Sequence, residues 1–169
     1  MGHQAAPLPV VADINVLVDA VVAEPDPSAG KSPPPVRGDP AAMALGILNQ
    51  GVEFGLGLSP HILTGTRRVL VEAFGFKQQE ADSYESVLVD IALRTGGIIT
   101  PDLSVHDCRD WEDNRILELA EAAGALLIIS SDADLFEISP WRGIPVMQPA
   151  QFVARVDAVR RRRRRSQYP

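Results

Sequence analysis

Three aspartates stand where a carboxylate could do metal chemistry. Asp13 directly follows the apolar stretch "PVVA" (residues 9–12), and Asp132 stands just past the longer apolar run "ALLIIS" (125–130). Both runs predict buried β-strands. Because ligands of open parallel sheets bind beyond the carboxyl ends of the strands, these two carboxylates would meet if the strands are neighbours.

The third candidate, Asp113, comes from helical spacing. Asp113, Ile116, Leu117 and Ala120 are spaced at i, i+3, i+4 and i+7, which places the acid on the apolar face of a predicted helix. An unpaired charge on that face would cost several kcal/mol of folding free energy. Asp113 therefore needs a cation or strong hydrogen bonds.

A divalent cation is the partner that fits these acids. Arg109 and Arg115 are off the face of Asp113, and few other basic residues lie in the body of the chain. Mg²⁺ and Mn²⁺ take oxygen ligands and need neither histidine nor cysteine. We interpret the scattered His3, His61 and His106 as structural or surface residues, and Cys108 as a packing residue rather than a catalytic thiol. The sequence thus predicts an Mg²⁺ or Mn²⁺ site.

Local capping is the alternative interpretation of several of these residues. Asp110 fits the N-cap of the predicted helix better than a ligand position. Asp132 and Asp134 could each cap the short turn after the last long strand, and Asn15 could merely bond the local backbone. Capping explains each position alone, but it explains less well an acid past each of two strands together with one on an apolar face.

Composition points to one globular domain. The chain has 169 residues, 46% of them apolar, which is enough for a sizeable core. No apolar run approaches the roughly 20 residues of a membrane span, and the start "MGHQAAPLP" does not resemble a signal peptide. The single cysteine fits a reducing compartment. We therefore expect a cytoplasmic protein with no membrane partner.

Strand and helix patterns alternate along the chain, which predicts a parallel sheet covered on both sides. Strands are predicted at residues 9–12, 54–59, 125–130 and 144–148, and helices at 14–23, 40–51, 60–73, 78–95, 110–124 and from 149 onward. Residues 1–8 are interpreted as an N-terminal extension, 9–157 as the domain, and 24–40 as a proline-rich loop within it.

The end of the chain is strongly basic, whereas the net charge is −6. Six of the sixteen basic residues are consecutive: Arg160, Arg161, Arg162, Arg163, Arg164 and Arg165. We interpret residues 158–169 as a solvated arginine-rich tail. It would serve either as an electrostatic tether for a polyanion such as RNA, DNA or an anionic membrane, or as a disordered end with nonspecific affinity.

Four segments resemble the PIN domain family of metal-dependent ribonucleases. They are "DINVLV" (13–18), "SPHILTGTRRVL" (59–70), "RDWEDNRILELAEAAGALLIISSDADLF" (109–136) and "IPVMQPAQFV" (144–153), and the resemblance extends from Val10 to about Val156. It implies a three-layer α/β/α fold with a central parallel sheet of four or five strands. It also implies that the protein could be the toxin of a toxin-antitoxin pair, with RNA as substrate, an antitoxin as partner and a tendency to self-associate.

The resemblance also assigns roles to residues. Asp13 matches the acid after the first strand, Asp113 and Asn114 match the Asp-Asn pair of the late helix, and Asp132 matches a later strand-end acid with Asp134 behind it. Asn15, Asp110, Asn114 and Ser130 would support these ligands. One or two Mg²⁺ or Mn²⁺ ions would then polarise a phosphodiester of single-stranded RNA, with phosphate contacts from Arg160 to Arg165 and from Arg67 and Arg68.

One departure from the family pattern concerns a further acid. The family usually carries a glutamate in the helix after the second strand, and that position falls on Gly65, with Glu72 two turns further on. Trp111 also stands where these motifs often carry proline. The missing acid favours an alternative, a PIN-like RNA-binding or regulatory protein with impaired catalysis. A haloacid dehalogenase-type phosphatase is a remote alternative, because Asn15 replaces its second aspartate.

Overall fold

The computed structural model describes residues 6–22 and 38–167. In chain order the elements are β1 (Leu8–Ala12), α1 (Ile14–Val22), α2 (Pro40–Gln50), β2 (Phe54–Gly57), α3 (Pro60–Phe74), α4 (Gln78–Thr95), α5 (Trp111–Ala122), β3 (Leu127–Ile129), α6 (Ala133–Glu137), β4 (Val146–Met147) and α7 (Pro149–Gln167). The alternation of strands and helices is the one that the sequence predicts, except that the short helix α6 stands where only a turn was expected.

A four-stranded sheet in the order β2-β1-β3-β4 forms the centre of the fold, and all its pairings are parallel. Successive residues of a strand face opposite sides of a sheet, and both Val10 and Val11 have no exposed surface. Helices must therefore cover both faces, which confirms the three-layer α/β/α architecture. An isolated parallel bridge between Leu58 and Ile98 extends the pairing beyond β2.

The pairing of β1 with β3 matters most for function. Val11 lies opposite Ile128 and Ala12 opposite Ile129, so the carboxyl ends of the two strands are level. The backbone N–H of Asp13 then continues the ladder by donating to Ile129 O at 2.9 Å. Asp13 and the residues after β3 consequently emerge side by side at one edge of the sheet.

Strand and helix ends differ from the predicted ones by a few residues. β3 is shorter than predicted because the N–H of Ala125 still bonds Ala120 O at the end of α5. β2 ends at Gly57 rather than at residue 59, because Ser59 instead caps α3 by accepting from Ile62 N at 3.3 Å. β1 begins at Leu8, inside the predicted N-terminal extension. Of the proline-rich loop, residues 24–37 lie outside the described residues, and Asp39 at its end caps α2.

The arginine run is part of a helix. A separate tail was expected from residue 158, but α7 continues through the run to Gln167. Arg160 is anchored to the body by hydrogen bonds to Glu53 at 2.6 and 3.0 Å, whereas Arg161 to Arg165 are exposed. The expectation that these arginines are solvated therefore holds for five of the six positions, while the backbone beneath them is ordered as helix.

No helix in the described parts of the chain combines the length and the apolar character needed to cross a membrane.

Two glycines provide a matched test of the packing. A Cβ at Gly55 in β2 would stand 2.6 Å from the carbonyl carbon of Thr95, whereas a Cβ at Gly46, exposed on α2, would meet nothing within 4 Å. We expect Gly55→Ala to lower the free energy of unfolding by about 1–3 kcal/mol. Gly46→Ala should raise it by about 0.5–1 kcal/mol, because alanine favours the helix. Urea unfolding followed by circular dichroism checks both, and equal stability of the two variants would contradict the β2–α4 packing.

Candidate functional site

Asp13 is a buried carboxylate held by hydrogen bonds. Its side chain is 7% exposed, Oδ1 accepts from Ile14 N at 2.7 Å, and Oδ2 accepts from Ser130 Oγ at 2.8 Å. Ser130 Oγ in turn accepts from the backbone N–H of Asp132 at 3.0 Å. Ser130, fully buried at the end of β3, thus ties the acid after the first strand to the acid after the third.

Asp132 begins the short helix α6 and takes part in an acidic cluster. Its Oδ1 accepts from Asp134 N at 2.8 Å, as an N-cap does. Carboxylate oxygens of Asp113, Asp132 and Asp134 lie within 4.8 Å of one another. The sequence left capping and metal binding as alternative roles for Asp132. In the structure Asp132 both caps α6 and belongs to the acidic cluster.

Asp113 lies on the apolar face of α5, as the helical spacing predicted. It is 6% exposed, and Ile116, Leu117 and Ala120 on the same face are at most 1% exposed. Its Oδ2 is buried and has no hydrogen-bond partner among the described residues. Burial first, and then the charges of Asp132 and Asp13, raise the pKa of Asp113 to about 7.

The acids of the cluster have no ion-pair partner among the described residues. Within the described ranges, no lysine, arginine or histidine forms an ion pair with Asp13, Asp113, Asp132 or Asp134. Burial also raises the pKa of Asp13, against the opposing effect of its hydrogen bonds from Ser130 and Ile14. Negative charge is therefore concentrated on these four acids without a direct ion pair to offset it among the described residues.

The supporting residues at the start of α5 fix the loop before it. Asp110 is the N-cap and accepts from Glu112 N at 3.0 Å. Asn114 is buried, accepts from Cys108 N at 2.9 Å and donates to Cys108 O at 3.0 Å. Asp110 and Asn114 thus hold the backbone that orients Asp113 rather than joining the cluster. Asn15 is exposed in the first turn of α1.

Glu118 and Cys108 are two further residues near this loop. Glu118, 2% exposed, accepts from Val105 N at 3.0 Å and contacts Arg115 at 3.1 Å. It stands four residues after Asn114, so helical spacing could have shown that both serve the same loop. Burial, followed by the charges of Asp113 and other acids, raises the pKa of the Cys108 thiol to about 11. A protonated thiol is a poor nucleophile, which agrees with the packing role expected for Cys108.

A second group of side chains, which we call the rim, borders the site: His61, Arg68, Trp111 and Glu112. His61 Nε2 lies 2.6 Å from one carboxylate oxygen of Glu112, and Arg68 donates to the other at 3.3 Å. The charge of Glu112 is close enough to raise the pKa of Asp13. The sequence alone predicts a structural or surface role for His61, although this residue follows the second predicted strand and therefore belongs at the same sheet edge.

The space beside Gly65, the position to which the resemblance assigns the family glutamate, is filled by another side chain. A Cβ at Gly65 would stand 2.5 Å from Cδ1 of Ile14, so the Ile14 side chain occupies this space. Glu72 is exposed near the end of α3, about 10 Å along the helix from Gly65, and cannot replace the missing carboxylate. Gly65 and Ile14 are therefore sterically complementary, because the absence of a side chain at Gly65 leaves room for Ile14.

The arginines predicted to bind RNA do not lie at this site. Glu53, the partner of Arg160, precedes β2, and Arg163 lines a cavity with Leu8 and Leu126 at the amino ends of β1 and β3. The run is therefore at the opposite edge of the sheet, about 16 Å from the acids along a five-residue strand. Arg67 is paired with Asp82 and Glu85 on α4, away from the cluster.

The family profile of the PIN domain matches residues 9–134. The chain belongs to the PIN domain family. The matched range contains Asp13, Asp113, Asp132 and Asp134, and excludes β4, α7 and the arginine run. PIN domains are generally nucleases and typically depend on divalent metal ions. The family assignment leaves no support for the haloacid dehalogenase alternative. No curated protein matches the sequence.

The residues of the PIN domain site fit a hard divalent cation. All the candidate donors are carboxylate oxygens, three of the acids are within one coordination sphere of each other, and a buried oxygen of Asp113 has no other partner among the described residues. Asp113, Asp132 and Asp134 could hold such an ion, with Asp13 beside them.

The raised pKa of Asp113 makes folding stability depend on pH. Its pKa is about 7 in the folded protein against an ordinary value of 3.8, so its contribution to stability is fully present below about pH 4 and is lost as the pH rises through 7. In EDTA, Asp113→Asn should exceed the native protein in free energy of unfolding by about 1 kcal/mol or more at pH 8. Urea titrations from pH 4 to pH 8 measure this difference. A difference that stays constant over that range would contradict the assigned electrostatics.

Proposed function

We propose that this PIN domain protein is a metal-dependent endoribonuclease that cleaves RNA phosphodiester bonds. The observation that supports it most directly is the buried Oδ2 of Asp113, which has no hydrogen-bond partner among the described residues and belongs to a cluster with Asp132 and Asp134. Folding leaves such an oxygen unpaired at a considerable cost, which a bound cation would offset. PIN domains are generally nucleases, so such a cation would have a catalytic role.

The roles of the residues follow from their contacts. Asp113, Asp132 and Asp134, with Asp13, would hold Mg²⁺ or Mn²⁺, which when bound polarises the phosphodiester, activates the attacking water and stabilises the leaving oxygen. Ser130 and the N–H of Ile14 fix both oxygens of Asp13 and favour its ionised form. Asp110 and Asn114 keep the first turn of α5, and hence Asp113, in place.

The proposed substrate is single-stranded RNA. Its bases and backbone are unpaired and therefore accessible to side chains, whereas a duplex offers mainly its shape and its outer phosphates. Arg68, 53% exposed at the rim, offers a guanidinium for a phosphate near the acids. Arg161 to Arg165 would contact phosphates farther along the same strand, which adds affinity without sequence preference.

A second candidate function is an RNA-binding or regulatory PIN domain with impaired catalysis. The specific observation in its favour is Gly65, where the family places a carboxylate and where Ile14 now fills the space. Such a protein would retain the arginine helix and the rim, and would bind RNA without cleaving it.

The remaining proposals rest on family membership. As the toxin of a toxin-antitoxin pair, the protein would act in the cytoplasm and be silenced by a partner that covers the acidic cluster or the rim. Self-association would follow the same family pattern. Co-expression with the product of the adjacent gene, followed by an activity assay of the purified complex, tests the inhibitory partner.

The metal-dependent cleavage has a direct test. Purified protein should cleave single-stranded RNA with Mn²⁺ or Mg²⁺ and not with EDTA. Asp132→Asn should lower the rate about a hundred-fold or more, because it replaces a negatively charged ligand by a neutral amide. Asp102→Asn, an exposed acid in the loop before α5, is the charge-matched control and should keep the native rate.

Two outcomes would contradict the nuclease. Equal amounts of cleaved RNA with metal and with EDTA would show that the cleavage does not depend on a metal ion. Native protein that binds RNA but is no more active than Asp132→Asn would support the regulatory function instead.

The arginine helix should control the salt dependence of RNA binding. Replacing Arg161, Arg162, Arg164 and Arg165 by glutamine leaves the Arg160–Glu53 anchor in place. For single strands the slope of log affinity against log salt should become shallower by about 0.7 for each phosphate that the variant no longer neutralises. The rate at saturating RNA should not change, because the run is at the opposite edge of the sheet. Fluorescence anisotropy at several salt concentrations measures the slope, and an unchanged slope would contradict the role.

A further inference from the structure

Trp111 is an exposed aromatic residue at the start of the helix that carries Asp113. It is the first residue of α5, two positions before Asp113, and is 57% exposed. The other tryptophan, Trp141, is 5% exposed and donates its indole N–H to Asp107 at 2.7 Å. Core packing thus explains Trp141 and leaves the exposure of Trp111 without a structural reason.

The Trp111 ring is held in place by its neighbours. His61 contacts it edge to face, with ring centroids 5.5 Å apart and an interplanar angle of 68°. The guanidinium of Arg115 lies 5.9 Å from the centroid of the same ring. His61 is itself held by Glu112 at 2.6 Å. An aromatic ring fixed in this way loses little side-chain entropy when a second flat group stacks on it.

The charges around the ring suit a nucleotide. Glu112 accepts from Arg68 at 3.3 Å, so its negative charge is partly offset within the rim. The Arg68 side chain remains 53% exposed and could also contact a phosphate. Stacking on an aromatic ring next to a guanidinium is how proteins bind unpaired bases, and it is tolerant of sequence.

We infer that Trp111 is the stacking platform for a base of the single-stranded RNA, next to the phosphate that the acidic cluster would cleave. The inference rests on the proposed function for the identity of the strand, and it adds a positioning residue that the metal site does not supply. His61 and Arg115 orient the ring, and Arg68 contacts the phosphate of the stacked nucleotide. The platform accepts any base. It therefore positions one nucleotide of the strand relative to the acidic cluster without selecting a sequence.

Kinetics test the platform through the cleavage reaction. Trp111→Ala should lower kcat/KM on single-stranded RNA about ten-fold, mainly through a higher KM, and Trp111→Phe should recover most of the loss because it keeps a stacking ring. Phe74→Ala is the matched control, since Phe74 is an exposed aromatic residue, 47% exposed, at the end of α3 opposite to His61. It should keep the native values.

Fluorescence tests the platform without cleavage. In Trp141→Phe, Trp111 is the one remaining tryptophan of the chain, and a single-stranded RNA of about eight nucleotides should quench its emission saturably in Ca²⁺. An abasic strand of the same length, which keeps the phosphates but has no base to stack, should not quench this emission. Quenching in Ca²⁺ together with no cleavage in Mn²⁺ or Mg²⁺ would overturn the nuclease but support the platform. Cleavage with no quenching and with native kinetics in Trp111→Ala would overturn the platform alone.

Discussion

Mutual repulsion of carboxylates at one edge of a parallel sheet is the constraint on which the site depends. Neighbouring positions of β1 and β3 force Asp13 and Asp132 together, and the apolar face of α5 carries Asp113 to the same place. Ser130 offsets part of the repulsion by bonding Asp13 and the N–H of Asp132. The buried Oδ2 of Asp113 has no such hydrogen bond among the described residues. A bound cation would stabilise this oxygen and reduce the remaining repulsion.

The fold divides charge between the two edges of the sheet. Acids gather where the strands end, whereas α7 runs back toward their beginnings and carries its arginines there, anchored by Arg160 on Glu53. A polyanion bound along the molecule would meet attraction at one edge and repulsion at the other unless a cation occupies the acidic site. The arginine helix could therefore bind a nucleic acid whether or not a cation occupies the acidic site.

Much of this arrangement is readable from sequence, because it follows local periodicity and one topological rule. Strand ends place Asp13 and Asp132, and helical spacing buries Asp113, without knowledge of the tertiary fold. The contact of Ile14 with Gly65 and the assembly of His61 with Glu112 join residues about 50 positions apart, and no local pattern announces them. The helical state of the arginine run also escapes composition, since its anchor, Glu53, lies 107 residues away.

The acids at the carboxyl edge of the sheet should bind one kind of ligand, a hard divalent cation. Anomalous diffraction from crystals grown at pH 8 with Mn²⁺ tests this most directly. We predict a manganese peak within coordination distance of Asp113 and Asp132, with the buried Oδ2 of Asp113 as a ligand. Ordered crystals that show no manganese there, with these carboxylates instead bonded to basic side chains, would contradict the metal site.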